Sequence, residues 1–146
     1  MKFKFCMMIA VFIICQVMIA GGIPHAFAGD VMIIANTSVP VDTLSPEDVK
    51  NIFLGKIVKW PNDDRINIVL NKSADTHKEF LRKYIKRTDS QFDSVWRQNM
   101  FTGQGRIPVR KNTDADLVSY VAQTNGAVSY IAADVKLPDG VKILSE

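Results

Sequence analysis

Cysteine is absent from most of this 146-residue sequence. Cys6 and Cys15 are its two occurrences, and both lie in an apolar stretch at the N-terminus. Residues 29–146 therefore contain no thiol. This excludes thiol catalysis, cysteine-ligated metals and a disulfide framework from that part of the chain.

Histidine is equally scarce, with His25 and His77 as its two occurrences. Since only His77 lies beyond residue 28, a zinc site made by two histidines is excluded there, as is a catalytic triad that needs more than one imidazole. Asp75 and His77 can be drawn as an acid–base pair, but no nucleophile, metal-ligand set or cofactor loop accompanies them. We therefore predict that the protein is not an enzyme and uses neither a metal nor a cofactor.

No charge of one sign dominates the sequence beyond residue 28. The chain has 18 basic and 15 acidic residues, and Lys2 and Lys4 account for two of the basic ones. The remaining 16 basic residues exceed the 15 acidic residues by one. Because no basic stripe with interleaved aromatic residues remains, we predict that the protein does not bind nucleic acid.

The first 28 residues have the pattern of a secretory signal peptide. Lys2 and Lys4 precede an almost wholly apolar run over residues 5–22, and Ala26-Phe27-Ala28 is a small-x-small cleavage site. We predict cleavage after Ala28 and a periplasmic location. An uncleaved membrane anchor is the alternative, because the apolar run is nearly long enough to span a bilayer. Removing 28 of the 146 residues leaves 118, which suits one domain over residues 29–146.

The stretch over residues 66–85 has the pattern of a strand, a loop and a helix. A β-branched run occupies residues 66–70, and apolar residues recur at helical spacing from Phe80 to Ile85. Because the first N–H groups of a helix lack internal partners and lie at the positive end of its dipole, we expect the loop to bind an anion. The alternative is that Ser73 merely caps the helix in a solvated turn. The candidate ligand-binding residues of this loop are Asn71, Lys72, Ser73, Asp75, Thr76 and His77.

A second polar turn follows the apolar run at residues 31–35. That run has the length of a strand that is buried on both faces. Thr37 and Ser38 lie in the turn after it, and a polar turn at the end of a buried strand is where an α/β sheet usually presents ligand groups. We therefore predict that Thr37 and Ser38 assist the same anion site. A simple connection rich in turn-forming residues is the alternative.

The segment from Ser45 to Gly55 has well-defined helix boundaries. Ser45 suits the N-cap, Pro46 suits the first helical position, and Gly55 suits the left-handed position after the last turn. The apolar positions of this segment form one face, so the helix is predicted to pack on a sheet. These positions are Val49, Ile52 and Phe53.

Strand and helix patterns alternate along the rest of the chain. Thr88 and Thr113 are candidate N-caps of two further helices, and two more strands are predicted at residues 126–131 and 141–144. The glycine-containing loop at residues 101–105 is predicted to shape the rim of the anion site. This alternation predicts an α/β fold with a small mixed sheet, mostly parallel with one antiparallel member, flanked by helices.

Two sequence motifs carry a resemblance to a known family. One runs from Leu44-Ser45-Pro46 through Ile52-Phe53-Leu54-Gly55-Lys56 and continues to Trp60 and Asn62; the other is Gly126-Ala127-Val128-Ser129-Tyr130-Ile131. Both resemble segments of the phosphate-binding proteins of bacterial ABC importers, the PstS-like periplasmic binding proteins, with Ser129 in place of a glycine. The resemblance spans residues 31–144, about one lobe of these two-lobed proteins. It implies a single lobe of the type II periplasmic-binding-protein-like fold (PBP domain).

The resemblance also implies a function and a set of site residues. It implies an exported substrate-binding protein of phosphate transport that binds phosphate or a related oxyanion, with a membrane transporter or sensor protein, or a second copy, as its partner. Aligned on Phe80, the family's Ser-Gly-Thr positions fall on Ala74, Asp75 and Thr76, and Thr76 alone is kept. The family's arginine position falls near Leu70 or Asn71, which leaves Lys72 and His77 as replacement donors.

Two functions follow from these residues. The first is a solute-binding module that holds an oxyanion, which the helix-terminal loop with Lys72, Ser73 and Thr76 favours. The second is a degenerate binding-protein lobe that acts as a protein-interaction or sensory module without tight anion binding. The missing arginine and the added negative charge of Asp75 favour this second function.

Overall fold

A computed structural model describes residues 29–145 of the protein. The predicted signal peptide, residues 1–28, lies outside these residues. The strands of the described part are β1 (Val31–Asn36), β2 (Asn67–Asn71), β3 (Val109–Lys111), β4 (Ala127–Ala132) and β5 (Val141–Ser145). Its helices are α1 (Pro46–Phe53), α2 (Ala74–Phe80), α3 (Asp89–Phe101) and α4 (Asp114–Gln123).

The strands form one sheet in the order β3-β2-β4-β1-β5. β2 pairs in parallel with both β3 and β4, whereas β1 pairs antiparallel with both β4 and β5. Four strands therefore run in one direction and β1 runs in the other. This confirms the predicted mixed, mostly parallel sheet with one antiparallel member.

The sheet has a hydrophobic core on each face, as expected for helices packed on both sides of a mostly parallel sheet. Alternate residues of β1 point to opposite cores, with Ile33 in one and Ile34 in the other. The larger core lies under α1, α2 and α3, and its centre is a stack of the Phe80 and Tyr130 rings with centroids 3.8 Å apart. The smaller core lies under α4. The strand predicted to be buried on both faces is thereby confirmed.

Helix α1 has the predicted boundaries. The Ser45 side chain accepts a hydrogen bond from the backbone N–H of Asp48 at 3.1 Å, and Gly55 adopts a φ of 74° just after the helix. A Cβ at Gly55 would lie 2.7 Å from the side-chain nitrogen of Asn99, which itself donates to the Leu54 carbonyl. The left-handed backbone therefore favours glycine here, and an added Cβ would also force the Asn99 side chain of α3 to shift.

Helix α2 continues into a π-helical segment, Leu81–Ile85. The backbone N–H of Lys86 donates to the Leu81 carbonyl at 2.6 Å and closes this wider turn. Lys86 then takes the left-handed conformation, with a φ of 56°, and directs the chain into α3. The apolar residues that recur at helical spacing here are all buried: Phe80, Leu81, Tyr84 and Ile85.

Strand β3 was not predicted from the sequence. It has three residues and lies at the edge of the sheet, where Val109 pairs with Val69 of β2. Val109 and Arg110 are exposed, so the segment lacks the run of buried apolar residues that identifies the other strands. Between Gly29 and Ser145, every helix lacks either the length or the apolar character needed to cross a membrane.

Candidate functional site

The carboxyl ends of β2 and β3 lie side by side where these strands end. We call this end of the sheet, at right angles to its edge strands, the carboxyl edge. Asn71 ends β2 and pairs with Lys111, which ends β3. In α/β sheets, ligands usually bind outside the carboxyl ends of the strands. The loop that the sequence singles out as an anion site, residues 71–77, therefore begins at the edge of the sheet where a ligand is expected.

Asn71 holds this loop in place. Its side chain is 1 % exposed, and its amide oxygen accepts a hydrogen bond from the Ser73 backbone N–H at 2.8 Å. Its amide nitrogen donates to the carboxylate of Asp114, at the start of α4, at 2.7 Å. Because both ends of the amide have partners inside the protein, Asn71 positions the loop.

Tyr130 supports the same loop from below. Its side chain is fully buried in β4, and its hydroxyl accepts a hydrogen bond from the Asn71 backbone N–H at 3.2 Å. The hydroxyl also lies 2.5 Å from Nδ1 of His77. Burial raises the pKa of Tyr130 far above its usual value, so the phenol is neutral and acts as a hydrogen-bonding group.

His77 connects α2 to the neighbouring elements. Its Nδ1 faces the Tyr130 hydroxyl of β4, and its Nε2 lies 3.0 Å from a carboxylate oxygen of Asp89 at the start of α3. The ring also packs edge-on against Phe92, with ring centroids 5.9 Å apart. The side chain of His77 is 16 % exposed. His77 therefore fixes the angle between α2 and α3 beside the candidate loop.

The first turn of α2 lacks the side-chain cap that the other three described helices have. Ser45, Thr88 and Thr113 each accept a hydrogen bond from a first-turn N–H of their helices. Ser73 is the N-cap of α2, but its side chain makes no such bond. Ser73 therefore occupies the N-cap position, but its hydroxyl does not cap the helix, as the alternative interpretation required. Thr76 is 8 % exposed in this turn.

A cavity of about 850 Å³ opens beside the loop, where α2 and its π-helical continuation face the start of α3. Asn71, Lys72, Ala74 and His77 form the end of the cavity at the carboxyl edge. The structure therefore brings three of the predicted site residues to one cavity wall. Ser73, Asp75 and Thr76 belong to the adjoining helical turn and are not part of that wall.

Basic side chains dominate the polar part of the cavity wall. Among the residues of the described range 29–145 that line it, six are basic and Asp89 alone is acidic. Arg110 pairs with Asp93 at 2.8 Å, and Arg82 pairs with Glu79. The other four basic residues have no ion-pair partner within residues 29–145. The six are Lys72, Lys78, Arg82, Lys86, Arg87 and Arg110.

Thr37 and Ser38 lie at the other end of the strands, away from the carboxyl edge. Because β1 runs antiparallel to β4, its carboxyl end meets the beginning of β4, where the Ser38 hydroxyl accepts a hydrogen bond from the Gly126 N–H at 3.0 Å. Asn67 of β2 pairs with Ala127, next to Gly126, and Asn71 lies four residues farther along β2, about 13 Å at ~3.3 Å per residue. This corrects the expectation that Thr37 and Ser38 share one site with the loop at 71–77.

The glycine-containing loop at residues 101–105 is also at the end of the sheet opposite the carboxyl edge. With the residues that follow it, this loop lines a separate cavity together with Gly55, Trp96 and the first residues of β2, including Asn67. The loop precedes β3, so it lies where β2 and β3 begin. The prediction that it shapes the rim of the anion site is therefore wrong.

Sequence reasoning missed the contributions of Lys86, Arg87 and Arg110 to the cavity. These residues lie 15 to 39 positions beyond Asn71, on the turn before α3 and on the unpredicted β3. One local signal was available, because the spacing of Lys78, Arg82 and Lys86 places basic residues along one side of a helix. Within the described residues, no group of three or more His, Cys, Asp or Glu side chains is arranged to hold a metal ion.

Comparison with known proteins identifies the fold that carries this site. A family model described as a PBP superfamily domain matches residues 25–143. No curated protein matches the chain by sequence. Among solved structures, the chain is similar to a Clostridium perfringens protein described as a phosphate ABC transporter substrate-binding protein and determined with bound phosphate. The two share 18 % identity and a TM-score of 0.62 over 80 % of this chain and 44 % of that one.

Two further solved structures show the same fold. An ABC-type phosphate transport receptor from Vibrio cholerae is 20 % identical with a TM-score of 0.60, over 80 % of this chain and 45 % of that one. PstS from Borrelia burgdorferi is 19 % identical with a TM-score of 0.59, over 80 % of this chain and 47 % of that one. The chain thus spans less than half the length of each of these structures.

Proposed function

The chain belongs to the family of PBP superfamily domains, and on this premise we propose that it is an exported solute-binding module for phosphate or a related oxyanion. In this proposal the anion lies at the first turn of α2, at the carboxyl edge. Residues 1–28 are removed on export to the periplasm, and a membrane-bound transporter or sensor protein is the partner. The module binds and delivers its ligand without chemical change.

The charge of the cavity beside α2 is the observation that carries this proposal. Of its lining residues six are basic and one is acidic, although the chain beyond residue 28 is nearly neutral. Positive charge is therefore concentrated where the candidate loop begins. The similar protein from Clostridium perfringens holds phosphate within the same fold, which supports the choice of anion.

Each residue of the loop has a defined role in the proposed site. The backbone N–H groups of the first turn of α2 and the hydroxyls of Ser73 and Thr76 donate hydrogen bonds to the anion. Lys72, exposed and next to the turn, supplies positive charge. Asn71 and His77 position the turn through their internal hydrogen bonds. Asp75 is exposed in the same turn and opposes anion binding by repulsion.

Calorimetric titration of residues 29–146 with phosphate, sulfate and arsenate tests this proposal. Saturable phosphate binding is expected, and Lys72→Ala should weaken it. Lys136→Ala is the matched control, because Lys136 is exposed and lies outside the cavity. Absence of binding up to millimolar phosphate, or equal losses in the two lysine variants, would count against the proposed site.

Two substitutions in the first turn of α2 test the placement of the anion. Thr76→Val keeps the shape of the side chain and removes one hydrogen bond to a charged group, so affinity should fall by about 1 to 2 kcal/mol. Asp75→Gly removes the repelling charge and should raise affinity. Unchanged affinity in both variants would move the site away from this turn.

A protein-interaction module is the second candidate function, and exposed apolar side chains favour it. Phe101 is 90 % exposed at the end of α3, and Ile107 is 64 % exposed in the loop that follows. Large apolar groups on a surface are common features of interaction sites. Phe101 and Ile107 lie toward the end of the sheet opposite the carboxyl edge. The surface that these two residues form is therefore separate from the cavity beside α2.

Sedimentation velocity tests this second candidate for the case of a homodimer. The chain should associate as its concentration rises, and Phe101→Ser should weaken that association. Phe101 is almost fully exposed, so the substitution should leave the free energy of unfolding nearly unchanged. A monomer at every concentration, in both the parent and the variant, would argue against self-association through this surface.

A further inference from the structure

The cavity beside α2 is too large for an inorganic anion alone. Its volume of about 850 Å³ lies in the range of roughly 300 to 1,000 Å³ that is typical of pockets for small organic molecules. A phosphate ion bound beside Lys72 and Ala74, where the loop and α2 reach the cavity, would occupy one end of it. The remaining space extends along the helix toward Lys86 and Arg87.

Basic residues follow this space from one end to the other. Lys72 precedes α2, and Lys78 lies in it. Arg82, four residues after Lys78, lies in the π-helical continuation, and Lys86 and Arg87 follow that segment. Residues four apart lie on the same side of a helix. The 12-residue helical segment over residues 74–85 is about 18 Å long at ~1.5 Å per residue, so the basic residues at its two ends cannot contact one small anion.

The surface between the basic groups is aliphatic. Leu70, Ala74 and Leu81 line the cavity, and the methylene stems of its lysines add to this surface. In the described part of the chain, His77 is the one residue of the cavity wall with an aromatic ring. The cavity therefore offers contact to an alkyl chain and lacks the phenyl or indole faces on which a nucleobase would stack.

Local backbone geometry places Lys86 and Arg87, the basic residues farthest from Lys72. The π-helical turn at Leu81–Ile85 widens the helix, and the left-handed conformation of Lys86 turns the chain so that Lys86 and Arg87 line the cavity. π-helical turns occur frequently at functional sites. Lysine in the left-handed region carries a conformational cost that glycine does not. Lys86 nevertheless has this left-handed conformation, and its charged side chain lines the cavity.

From this arrangement we propose that the cavity binds an organic bisphosphate: an aliphatic body that carries two separated phosphate groups. This inference rests on the proposed oxyanion site at α2, which takes the first phosphate near Lys72. The aliphatic body lies along Leu70, Ala74 and Leu81. The second phosphate lies beside Lys86 and Arg87.

Three related probes test the parts of this ligand separately. Inorganic phosphate tests the α2 site alone, hexyl phosphate adds the aliphatic body, and hexane-1,6-diyl bisphosphate adds the second phosphate. Calorimetric titration of residues 29–146 should give affinities that rise in this order. Each addition is expected to raise affinity by about tenfold or more. A bisphosphate that binds no more tightly than hexyl phosphate would overturn the proposal.

Lys86→Gly tests where the second phosphate lies. Glycine accepts the left-handed backbone at this position, so the variant should fold while it lacks the charge. It should reduce bisphosphate affinity by about tenfold and leave the affinity for inorganic phosphate unchanged. Lys136→Ala is again the matched control. Equal losses for both ligands, or no loss for either, would overturn this placement.

The same titrations separate this inference from the proposed function. Binding of inorganic phosphate with no gain for the two esters would overturn the inference and leave the proposed function supported. Tight binding of the bisphosphate without measurable binding of inorganic phosphate would support the inference and count against inorganic phosphate as the ligand. Binding of none of the three probes would overturn both.

Discussion

Replacing Tyr130 with phenylalanine should destabilise the protein although it removes a single oxygen atom. The Tyr130 ring is fully buried, stacked on Phe80 at 3.8 Å between centroids and packed edge-on against Phe53 at 5.7 Å. Phenylalanine preserves these ring contacts, so the effect of Tyr130→Phe reports on the hydroxyl. That hydroxyl lies within hydrogen-bonding distance of the Asn71 backbone and of Nδ1 of His77.

The expected loss in the free energy of unfolding follows from the groups that lose the Tyr130 hydroxyl as a hydrogen-bond partner. The hydroxyl accepts from the Asn71 N–H at 3.2 Å, and Asn71 is 1 % exposed, so water cannot readily replace it. An unsatisfied buried polar group costs about 1 to 3 kcal/mol. Nδ1 of His77 loses its partner at the same time, but the His77 side chain is 16 % exposed and water can partly compensate. We therefore expect a loss of about 1 to 3 kcal/mol in the free energy of unfolding.

Urea unfolding followed by circular dichroism measures this loss. The midpoint should fall while the slope m is unchanged, because the same surface is exposed on unfolding. Tyr120→Phe is the matched control: Tyr120 is half-buried, and its ring contact with the Lys111 ammonium, 4.5 Å away, is retained in phenylalanine. The control should change stability by less than about 0.5 kcal/mol. A Tyr130→Phe effect as small as that of the control would refute the supporting role of the hydroxyl.

Three further predictions are checked by the same unfolding assay. Phe53→Ala should cost about 3 to 5 kcal/mol, because Phe53 is fully buried in the larger core; a loss below about 0.5 would contradict its place there. Gly126→Ala should cost about 2 to 4 kcal/mol, because φ is 70° and an added Cβ would lie 2.5 Å from the Arg65 carbonyl oxygen. The hydrogen bond from Lys83 lowers the pKa of Asp30, so Asp30→Asn should cost at most about 1 kcal/mol at neutral pH. This last difference should vanish in acid: the ion pair contributes fully above the unfolded pKa of about 3.9, and its contribution is lost as the pH falls through the lowered folded pKa.

The α1 region was predictable because its signals are local. Ser45, Pro46 and Gly55 act within one or two turns of the helix they delimit, so their roles depend little on the rest of the fold. The burial of Phe53 follows from the same amphipathic pattern. The buried apolar run of β1 was readable for a similar reason, since it identifies a strand covered on both faces.

The direction of β1 was not readable from the sequence. When both faces of a strand are apolar, its sequence pattern does not show whether the strand runs parallel or antiparallel to its neighbours. The prediction that Thr37 and Ser38 join the loop at 71–77 required β1 to run parallel to β2. Because β1 pairs antiparallel with β4, its carboxyl end lies at the end of the sheet opposite the carboxyl edge. The direction of one strand, which the sequence does not reveal, therefore removed Thr37 and Ser38 from the candidate site.

The cavity was only partly predictable because distant segments build it. The loop at residues 71–77 was found from its own strand, loop and helix pattern. Arg110 reaches the same cavity because β3 pairs with β2, placing Arg110 opposite Leu70. That pairing is a long-range contact of a three-residue edge strand, and such a strand has too little pattern to be recognised alone. Local signals therefore identified the loop beside the cavity but did not give the charge of the cavity.

The distribution of that charge bears on the missing arginine of the resembled family. Positions 70 and 71 themselves carry no arginine, and the negative charge of Asp75 lies in the first turn of α2. The nearest guanidinium across the sheet is that of Arg110, opposite Leu70, and it pairs with Asp93. Positive charge at the cavity comes instead from residues of several segments: Lys72 before α2, Lys78 and Arg82 in α2 and its π-helical continuation, Lys86 and Arg87 before α3, and Arg110 of β3. A lysine ammonium is a point charge on a flexible stem, whereas arginine holds an oxyanion with a rigid fork. A site built this way favours a ligand whose negative charges are spread along the cavity over one that places them all at the first turn of α2.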